Sequence, residues 1–321
     1  MNFSINKNHK PSSASRKLQA ASQILLWFFI LQLSLNQTFA QNEANFPDTL
    51  IKKRFIPITA AAATWYTGSI IFLSQTWYKD QQKTKFHFFN DNDEWLGMDK
   101  LGHGITSYYE GMYGYRMLRW SGVPEKKAIW FGGTWGFIMQ LPIEMFDGFS
   151  PEYGASWGDL GANTFGTALF ISQQLAWKEQ KVMMKFSFMP TKYSALKPNL
   201  LGSNLAENVV KDYNGQTYWL SANINHIIPS QKVPQWLNLA IGYGGDGMLR
   251  GTHHHQINDP DVNHFQRSRQ YYLSLDVDLN KIKTKSKFVN TFCTAIAMVK
   301  IPSPTLEFHE RQGFKFHFLY F

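Results

Sequence analysis

Residues 160–177, LGANTFGTALFISQQLAW, contain no charged residue and close a series of apolar stretches. Residues 55–78 and 128–143 are also uncharged. Glycine and alanine are frequent in these stretches, as expected where helices approach one another closely. Segments of this length and composition predict a bundle of about four hydrophobic helices over residues 41–180, following a leader at residues 1–40.

The pattern changes near residue 180 to an alternation of apolar and polar residues with a period of two. Alternation bounded by Gly, Asn and Asp is typical of antiparallel strands. Six segments show it: 185–189, 218–224, 236–243, 270–279, 305–309 and 314–321. The sequence therefore predicts an α+β fold, with a helical N-terminal half and a mainly antiparallel β domain over residues 181–321.

The first forty residues have the features of a secretory signal peptide. Four basic residues and no acidic residue precede the apolar run ILLWFFILQLSL at 24–35, and small residues lead to a predicted cut before Gln41. The alternative is an N-terminal membrane anchor, for which the run is short. No cysteine lies near the cut, so lipid modification is not predicted. We expect an exported protein of the periplasm or of the membrane-associated cell envelope.

The charge of the chain limits the classes of partner. Loss of residues 1–40 lowers the formal charge from +9 to +5, which is only mildly basic. Export and this charge argue against a nucleic-acid partner, whereas weak attraction to anionic lipid headgroups remains possible. The single cysteine, Cys293, allows no intrachain disulfide.

The helical half fits two environments. Residues 55–78 are just long enough to cross a bilayer, which favours membrane association of this half. The mean hydropathy of −0.30 favours the alternative, a tight bundle in the periplasm. We expect a membrane or lipid partner, and an envelope protein partner is also possible.

The first polar cluster in the helical half is Asp99-Lys100-x-x-His103. On a helix, Asp99 and His103 would lie on one face, where the carboxylate can orient the imidazole. Lys100 would point elsewhere, toward a headgroup or another carboxylate. The alternative is a helix cap at Asp99 with a structural histidine one turn later.

Two further clusters follow along the chain. Glu144 and Asp147 are three residues apart and can converge. Two carboxylates this close would raise the pKa of one of them, share a cation or be neutralised by a Lys or His. Asp159, Asn163 and Gly166 form one stripe of the last helix, where Gly166 would let a neighbouring helix approach. Both clusters have structural alternatives, a solvated loop entrance and a polar seam that fixes helix register.

The order of the three clusters, from 95 to 166, resembles the family of predicted periplasmic lipoprotein-like envelope proteins typified by YfiM, a domain of unknown function. It is similar, more distantly, to VanZ-like membrane proteins. The resemblance implies an envelope location and a helical fold, and it implies no activity. The chain departs from the family pattern because its export signal has no lipobox cysteine.

Two functions follow from the residues. The first is a structural or binding component of the envelope at a membrane, whose polar clusters fix the helical bundle. The alternative is a hydrolase or transferase acting on a lipid-linked or phosphorylated substrate. Its predicted catalytic residues are His103, Asp99, Glu144 and Asp159, and its binding residues are Lys100, Asp147 and Asn163. His103 would act as general base or metal ligand, and the carboxylates of Glu144, Asp147 and Asp159 would supply an acid or bind a cation.

The choice between these two functions depends on the distances between the predicted catalytic residues. Shared chemistry is excluded if His103, Glu144 and Asp159 lie more than about 10 Å apart, because proton transfer needs hydrogen-bond reach or one bridging water. No cofactor is predicted. No complete metal site is predicted either, since the run His253-His254-His255 lies in a polar segment without the spacing of a zinc site.

Overall fold

The computed structural model describes residues 46–76, 84–151, 153–227, 233–282 and 284–321. The predicted signal peptide at residues 1–40 lies outside these residues. Within them the chain is α+β, as predicted, with helices first and a six-stranded antiparallel sheet afterwards. The change from helix to strand falls between Trp177 and Val182.

Five helices of nine residues or more precede the sheet within the described residues. They are α1 (Lys52–Thr76), α2 (Met98–Trp120), α3 (Glu125–Gly133), α4 (Trp135–Gly148) and α5 (Trp157–Trp177). A 3-10 turn at Glu94–Gly97 leads into α2. The uncharged segment 128–143, predicted as one helix, belongs to both α3 and α4, which are interrupted at Thr134. Among all the helices described, none has both the length and the apolarity required to cross a bilayer.

Helix α2 lies at the centre of the helical half and packs against α3, α4 and α5. The backbones of α2 and α5 are in direct contact, because a Cβ atom added to Gly166 would lie 2.0 Å from the carbonyl oxygen of Gly104. The prediction that Gly166 permits close approach of a second helix is therefore confirmed. This contact brings the polar residues of α2 and α5 onto one shared surface.

The six strands are hydrogen-bonded in sequence order, each antiparallel to the next. All six predicted strand segments are confirmed. The strands are β1 (Val182–Phe188), β2 (Gln216–Asn223), β3 (Leu237–Asp246), β4 (Ser268–Val277), β5 (Ser303–His309) and β6 (Gly313–Tyr320). The connections contain the short helices α6 (Tyr193–Leu196), α7 (Pro198–Leu201), α8 (Leu205–Lys211), α9 (Ile224–Ile227), α10 (His253–Ile257) and α11 (Lys287–Ala295).

The sheet is curled, and its concave side is polar. Lys185 on β1 forms an ion pair of 2.7 Å with Asp276 on β4, and both side chains are fully buried. The hydroxyl of Tyr320 on β6 lies 3.3 Å from that of Thr217 on β2. These contacts join strands that are not neighbours in the sheet, so the inner face closes around a core of polar side chains.

The helical half covers the other face of the sheet at β1 and β2 and at Tyr243 of β3, whose hydroxyl donates to the backbone oxygen of Leu96. Tyr109 of α2 donates a hydrogen bond of 2.7 Å to the backbone oxygen of Met184 on β1. Met184 and Tyr218 belong to the same buried apolar cluster as the tyrosines of α2. The two halves therefore share one hydrophobic core.

Candidate functional site

Seven polar residues from three helices and one loop lie together at the end of the helical half. We call them the polar centre: Asp91, Asp99, Lys100, His103, Glu144, Asp159 and Asn163. Helix α2 begins at Met98, so it places Asp99 and Lys100 in its first turn and His103 one turn later. Glu144 comes from the last turns of α4. The first two turns of α5 carry Asp159 and Asn163.

Ser156 fixes the ends of α4 and α5 relative to each other. Its hydroxyl oxygen accepts a hydrogen bond of 3.1 Å from the backbone N–H of Asp159 and thereby caps α5. Its own backbone N–H donates to Oε2 of Glu144 at 2.9 Å. The Ser156 hydroxyl also donates to Asp91. One loop residue thus binds the carboxylates of Glu144 and Asp91 and caps the first turn of α5.

Lys100 is the cation of the polar centre. Its Nζ lies 2.6 Å from Asp91, 3.0 Å from Asp99 and 2.9 Å from Asp159. Burial alone would lower the pKa of this ammonium group, but the three carboxylates outweigh burial and raise the pKa above its usual value. Lys100 therefore remains charged and neutralises one of the three carboxylates.

Asp91 is a member of the polar centre that the sequence analysis missed. It lies in the polar run Asn90–Asp93 before the 3-10 turn, and such a run is usually a solvated loop. Burial would raise the pKa of Asp91, but hydrogen bonds from Lys100 and Ser156 lower it. The only available signal was its position a few residues before the first turn of α2.

His103 contacts α5 rather than Asp99. Its Nδ1 lies 3.3 Å from Oδ1 of Asn163, and this oxygen also accepts a hydrogen bond of 2.9 Å from Ser107. Because an amide oxygen only accepts, Nδ1 of His103 donates this hydrogen bond, which in a neutral imidazole leaves the lone pair on Nε2. Nε2 lies 4.0 Å from Oδ2 of Asp159, beyond hydrogen-bonding distance. Asp99 instead binds Lys100, and burial raises its pKa despite that contact.

Glu144 is the most deeply buried acid of the polar centre, with 3% of its surface exposed. Its Oε1 has no hydrogen-bond partner. Burial raises the pKa of Glu144 to about 8, with smaller contributions from the charges of Asp159, Asp147 and Asp91. Asp147 lies one turn further along α4 and is half-buried. Its charge acts on Glu144, but it belongs to neither of the ligand groups described next.

Two groups of three residues have the spacing of metal ligands. The first group is His103, Glu144 and Asp159, and the second is Asp91, Asp99 and Asp159. In each group every residue offers one ligand atom, and the three atoms lie within 4.8 Å of one another. Lys100 already lies among the second group, so the first is the better candidate for a metal ion. The sequence predicted no complete metal site, because the three residues of the first group come from helices far apart in the chain.

A separate cavity of about 710 Å³ lies between α1, α2 and α3. Its walls are apolar, with Phe55, Ala62, Met117, Phe131 and Trp135 among the lining side chains. Among the described residues that line it, Lys127 is the one that carries a charge. The cavity therefore suits a hydrocarbon chain rather than acid–base chemistry.

Comparison with known proteins shows a similarity over the segment that contains the polar centre. Residues 87–173 match the model of a family described as predicted periplasmic lipoprotein (DUF2279). Neither a curated protein nor a solved structure matches the chain. The similarity to YfiM and to VanZ-like proteins stays a prediction. All seven residues of the polar centre fall within the matched segment, which is similar to predicted periplasmic lipoproteins and is consistent with an exported protein of the periplasm or cell envelope.

Proposed function

We propose that this protein is a component of the cell envelope that docks on a lipid membrane through the uncovered face of its sheet. The family description fits an uncharacterised exported envelope protein and gives no more specific function. The observation that carries the proposal is the direction of alternation in strands β3 to β6.

In β3 to β5 most inward side chains are polar and buried, whereas the alternate, outward side chains are apolar and exposed. On β5, Thr305, Glu307 and His309 face the inside, whereas Leu306 and Phe308 face outward. We call the exposed apolar set the outer face: Leu239, Ile241, Tyr271, Leu273, Leu275, Leu306, Phe308, Phe314 and Phe316, with between 36% and 73% of each surface exposed. An antiparallel sheet facing water shows the opposite arrangement. Contiguous apolar patches of this size mark sites that contact another apolar phase.

The strand register aligns the outer face into rows. Ile241, Leu273, Leu306 and Phe316 are paired across four strands. The next row is aromatic and contains Tyr271, Phe308 and Phe314. Beyond it Arg269 and Glu310 form an ion pair of 3.7 Å. Aromatic side chains between an apolar band and charged residues are typical of a membrane–water interface.

Helix α11, in the connection between β4 and β5, extends this pattern. Phe288 and Phe292 are one turn apart and exposed, and their rings stack with centroids 6.5 Å apart. The sequence before and at the start of this helix places a lysine at every second position from 281 to 287. An aromatic stripe beside a lysine cluster is expected where a helix lies on anionic lipid headgroups.

Vesicle flotation tests the proposal. The purified protein is mixed with vesicles of phosphatidylethanolamine and phosphatidylglycerol and centrifuged through a density gradient. We expect the wild type to float with the vesicles and the double variant Leu273→Glu/Phe316→Glu to lose at least ten-fold in bound fraction, because a carboxylate is costly to place in hydrocarbon. Leu205→Glu on α8 is the matched control, since Leu205 is an exposed leucine outside the sheet. It should float like the wild type.

Two results contradict the proposal. One is a wild-type protein that stays at the bottom of the gradient. The other is a double variant that binds vesicles as well as the wild type does while it converts a dimer to a monomer in light scattering. The second result would assign the outer face to another copy of the chain.

The second candidate function is an envelope hydrolase or transferase that uses the polar centre. It is favoured by one observation, the convergence of His103, Glu144 and Asp159 within 4.8 Å. In this function Asp99 acts only through Lys100, because the hydrogen bonds join these two residues. A screen with aryl phosphate mono- and diesters tests it: turnover must vanish in His103→Ala, whose thermal midpoint stays near that of the wild type.

A further inference from the structure

We propose that the polar centre binds one divalent transition-metal ion through Nε2 of His103 and the carboxylates of Glu144 and Asp159. This inference is independent of membrane docking, because the three residues lie in the helical half and the outer face lies on β3 to β6. It is also independent of the candidate hydrolase or transferase activity, because a bound ion can stabilise the fold whether or not the protein is an enzyme.

The first argument is geometric. Metal–nitrogen and metal–oxygen bonds of about 2.0–2.2 Å place two ligands of one ion about 3–4.4 Å apart. Nε2 of His103 and Oδ2 of Asp159 are 4.0 Å apart, too far for a hydrogen bond and within this range. The largest separation within the group is no more than 4.8 Å, so a small inward movement completes the set.

The second argument is the unsatisfied carboxylate oxygen of Glu144. Its Oε1 has no hydrogen-bond partner although only 3% of the residue is exposed. A buried polar atom without a partner costs about 1–3 kcal/mol, so native proteins rarely leave one unused. Oε2 of the same carboxylate is held by the Ser156 N–H, which leaves Oε1 free to bind an ion.

The third argument is that each proposed ligand is held by a further hydrogen bond or ion pair. The Asn163 side-chain oxygen accepts a hydrogen bond from Nδ1 of His103, which leaves Nε2 available. Ser156 orients Glu144, and Lys100 binds Oδ1 of Asp159. Metal ligands in proteins commonly have such supporting contacts, which fix their direction and protonation.

The charge of the polar centre also fits a cation. Four carboxylates, those of Asp91, Asp99, Glu144 and Asp159, surround one ammonium group, that of Lys100. With all groups ionised the formal charge is negative by three, and a divalent ion offsets most of this excess. Lys100 occupies the side formed by Asp91 and Asp99, so the side of His103 and Glu144 remains for the metal.

The ligand types define the class of ion. One imidazole and two carboxylates suit Mn²⁺, Fe²⁺ or Zn²⁺, whereas Ca²⁺ prefers six to eight oxygen ligands. The His103 side chain keeps 18% of its surface exposed, so a small ion and one water ligand can reach it.

The test is a Mn²⁺ titration followed by electron paramagnetic resonance, in which the six-line signal of free Mn²⁺ disappears on binding. Every protein carries His253→Ala, His254→Ala and His255→Ala, because this run is itself able to bind transition metals. We expect one bound Mn²⁺ per chain. His103→Gln and Glu144→Gln, on two different helices, should each raise the Kd at least ten-fold.

Glu110→Gln is the matched control. Glu110 is also a buried glutamate of the helical half with its pKa raised to about 8 by burial, but it binds Gln140 and is not part of the ligand group. This variant should bind Mn²⁺ like its parent. As a second measurement, Mn²⁺ should raise the thermal midpoint of the parent and of Glu110→Gln, and at the same concentration should raise that of His103→Gln less.

The inference is overturned if the parent binds no Mn²⁺ at millimolar concentration. It is also overturned if His103→Gln and Glu144→Gln bind as tightly as Glu110→Gln. Circular dichroism identifies a variant that fails to fold, and the remaining ligand variant then decides the outcome.

Discussion

Asp276→Asn should destabilise the protein by about 3–5 kcal/mol, because it leaves the ammonium group of Lys185 buried without its counter-ion. Asp276 accepts hydrogen bonds from Ser221 at 2.6 Å and from the backbone N–H of Ile301 at 3.3 Å, besides its 2.7 Å ion pair with Lys185. Both members of the pair are fully buried inside the curled sheet, so water cannot replace the lost partner. The free energy of unfolding is measured by urea titration.

The double variant Lys185→Met/Asp276→Asn is the control for this prediction. Removal of both charges eliminates the unpaired ion, so the double variant should be more stable than Asp276→Asn alone. If the effects of Lys185→Met and Asp276→Asn simply add, the ion pair is not the origin of the loss. The polar inner face of the sheet would then be stabilised mainly by its hydrogen bonds.

Glu110→Gln should make the protein more stable than the wild type, and this difference in the free energy of unfolding should grow as the pH rises from about 5 to 8. Burial raises the pKa of Glu110 from 4.5 to about 8 in the folded protein. Between these values the unfolded chain loses the proton and the folded protein keeps it, so wild-type stability falls with increasing pH by up to about 1.4 kcal/mol per unit. The contribution is complete below pH 4.5 and lost above about 8.

The glutamine variant lacks this titration and keeps the acceptor for the 2.9 Å hydrogen bond from Gln140. The difference in the free energy of unfolding between variant and wild type is measured by urea titration at several pH values. It should be small near pH 5 and reach a few kcal/mol by pH 8. A difference that does not change with pH would mean that Glu110 is already ionised in the folded protein.

The strands were predictable because their alternation is a local property of the sequence. All six segments from 185–189 to 314–321 form strands of the sheet. Which face is buried is not local. It depends on the curl that closes Lys185, Asp276 and their neighbours inside, and this leaves Leu273 and Phe316 outside. The helical segment 128–143 also differs from the prediction, because α3 ends at Gly133 and α4 begins at Trp135.

The sequence predicted most of the residues of the polar centre, but it did not predict which of them contact one another. Charged groups in apolar helices are expensive to bury, which identified His103, Glu144 and Asp159 from the sequence alone. Their partners depend on the packing of α2 against α5, so Asn163 and Asp159 are near His103 while Asp99 binds Lys100. Asp91 was missed because the loop that carries it reaches Lys100 only in the folded chain.

The most direct test of membrane docking places a fluorescent probe on the outer face. The single cysteine, Cys293, is replaced by serine, and a nitrobenzoxadiazole label is attached to Phe316→Cys or to Lys315→Cys. These neighbours on β6 point to opposite faces of the sheet. With anionic vesicles, we predict that the label at 316 shifts to the blue and is quenched by nitroxide lipids, whereas the label at 315 is not. Equal quenching at both positions, or at neither, would contradict the account.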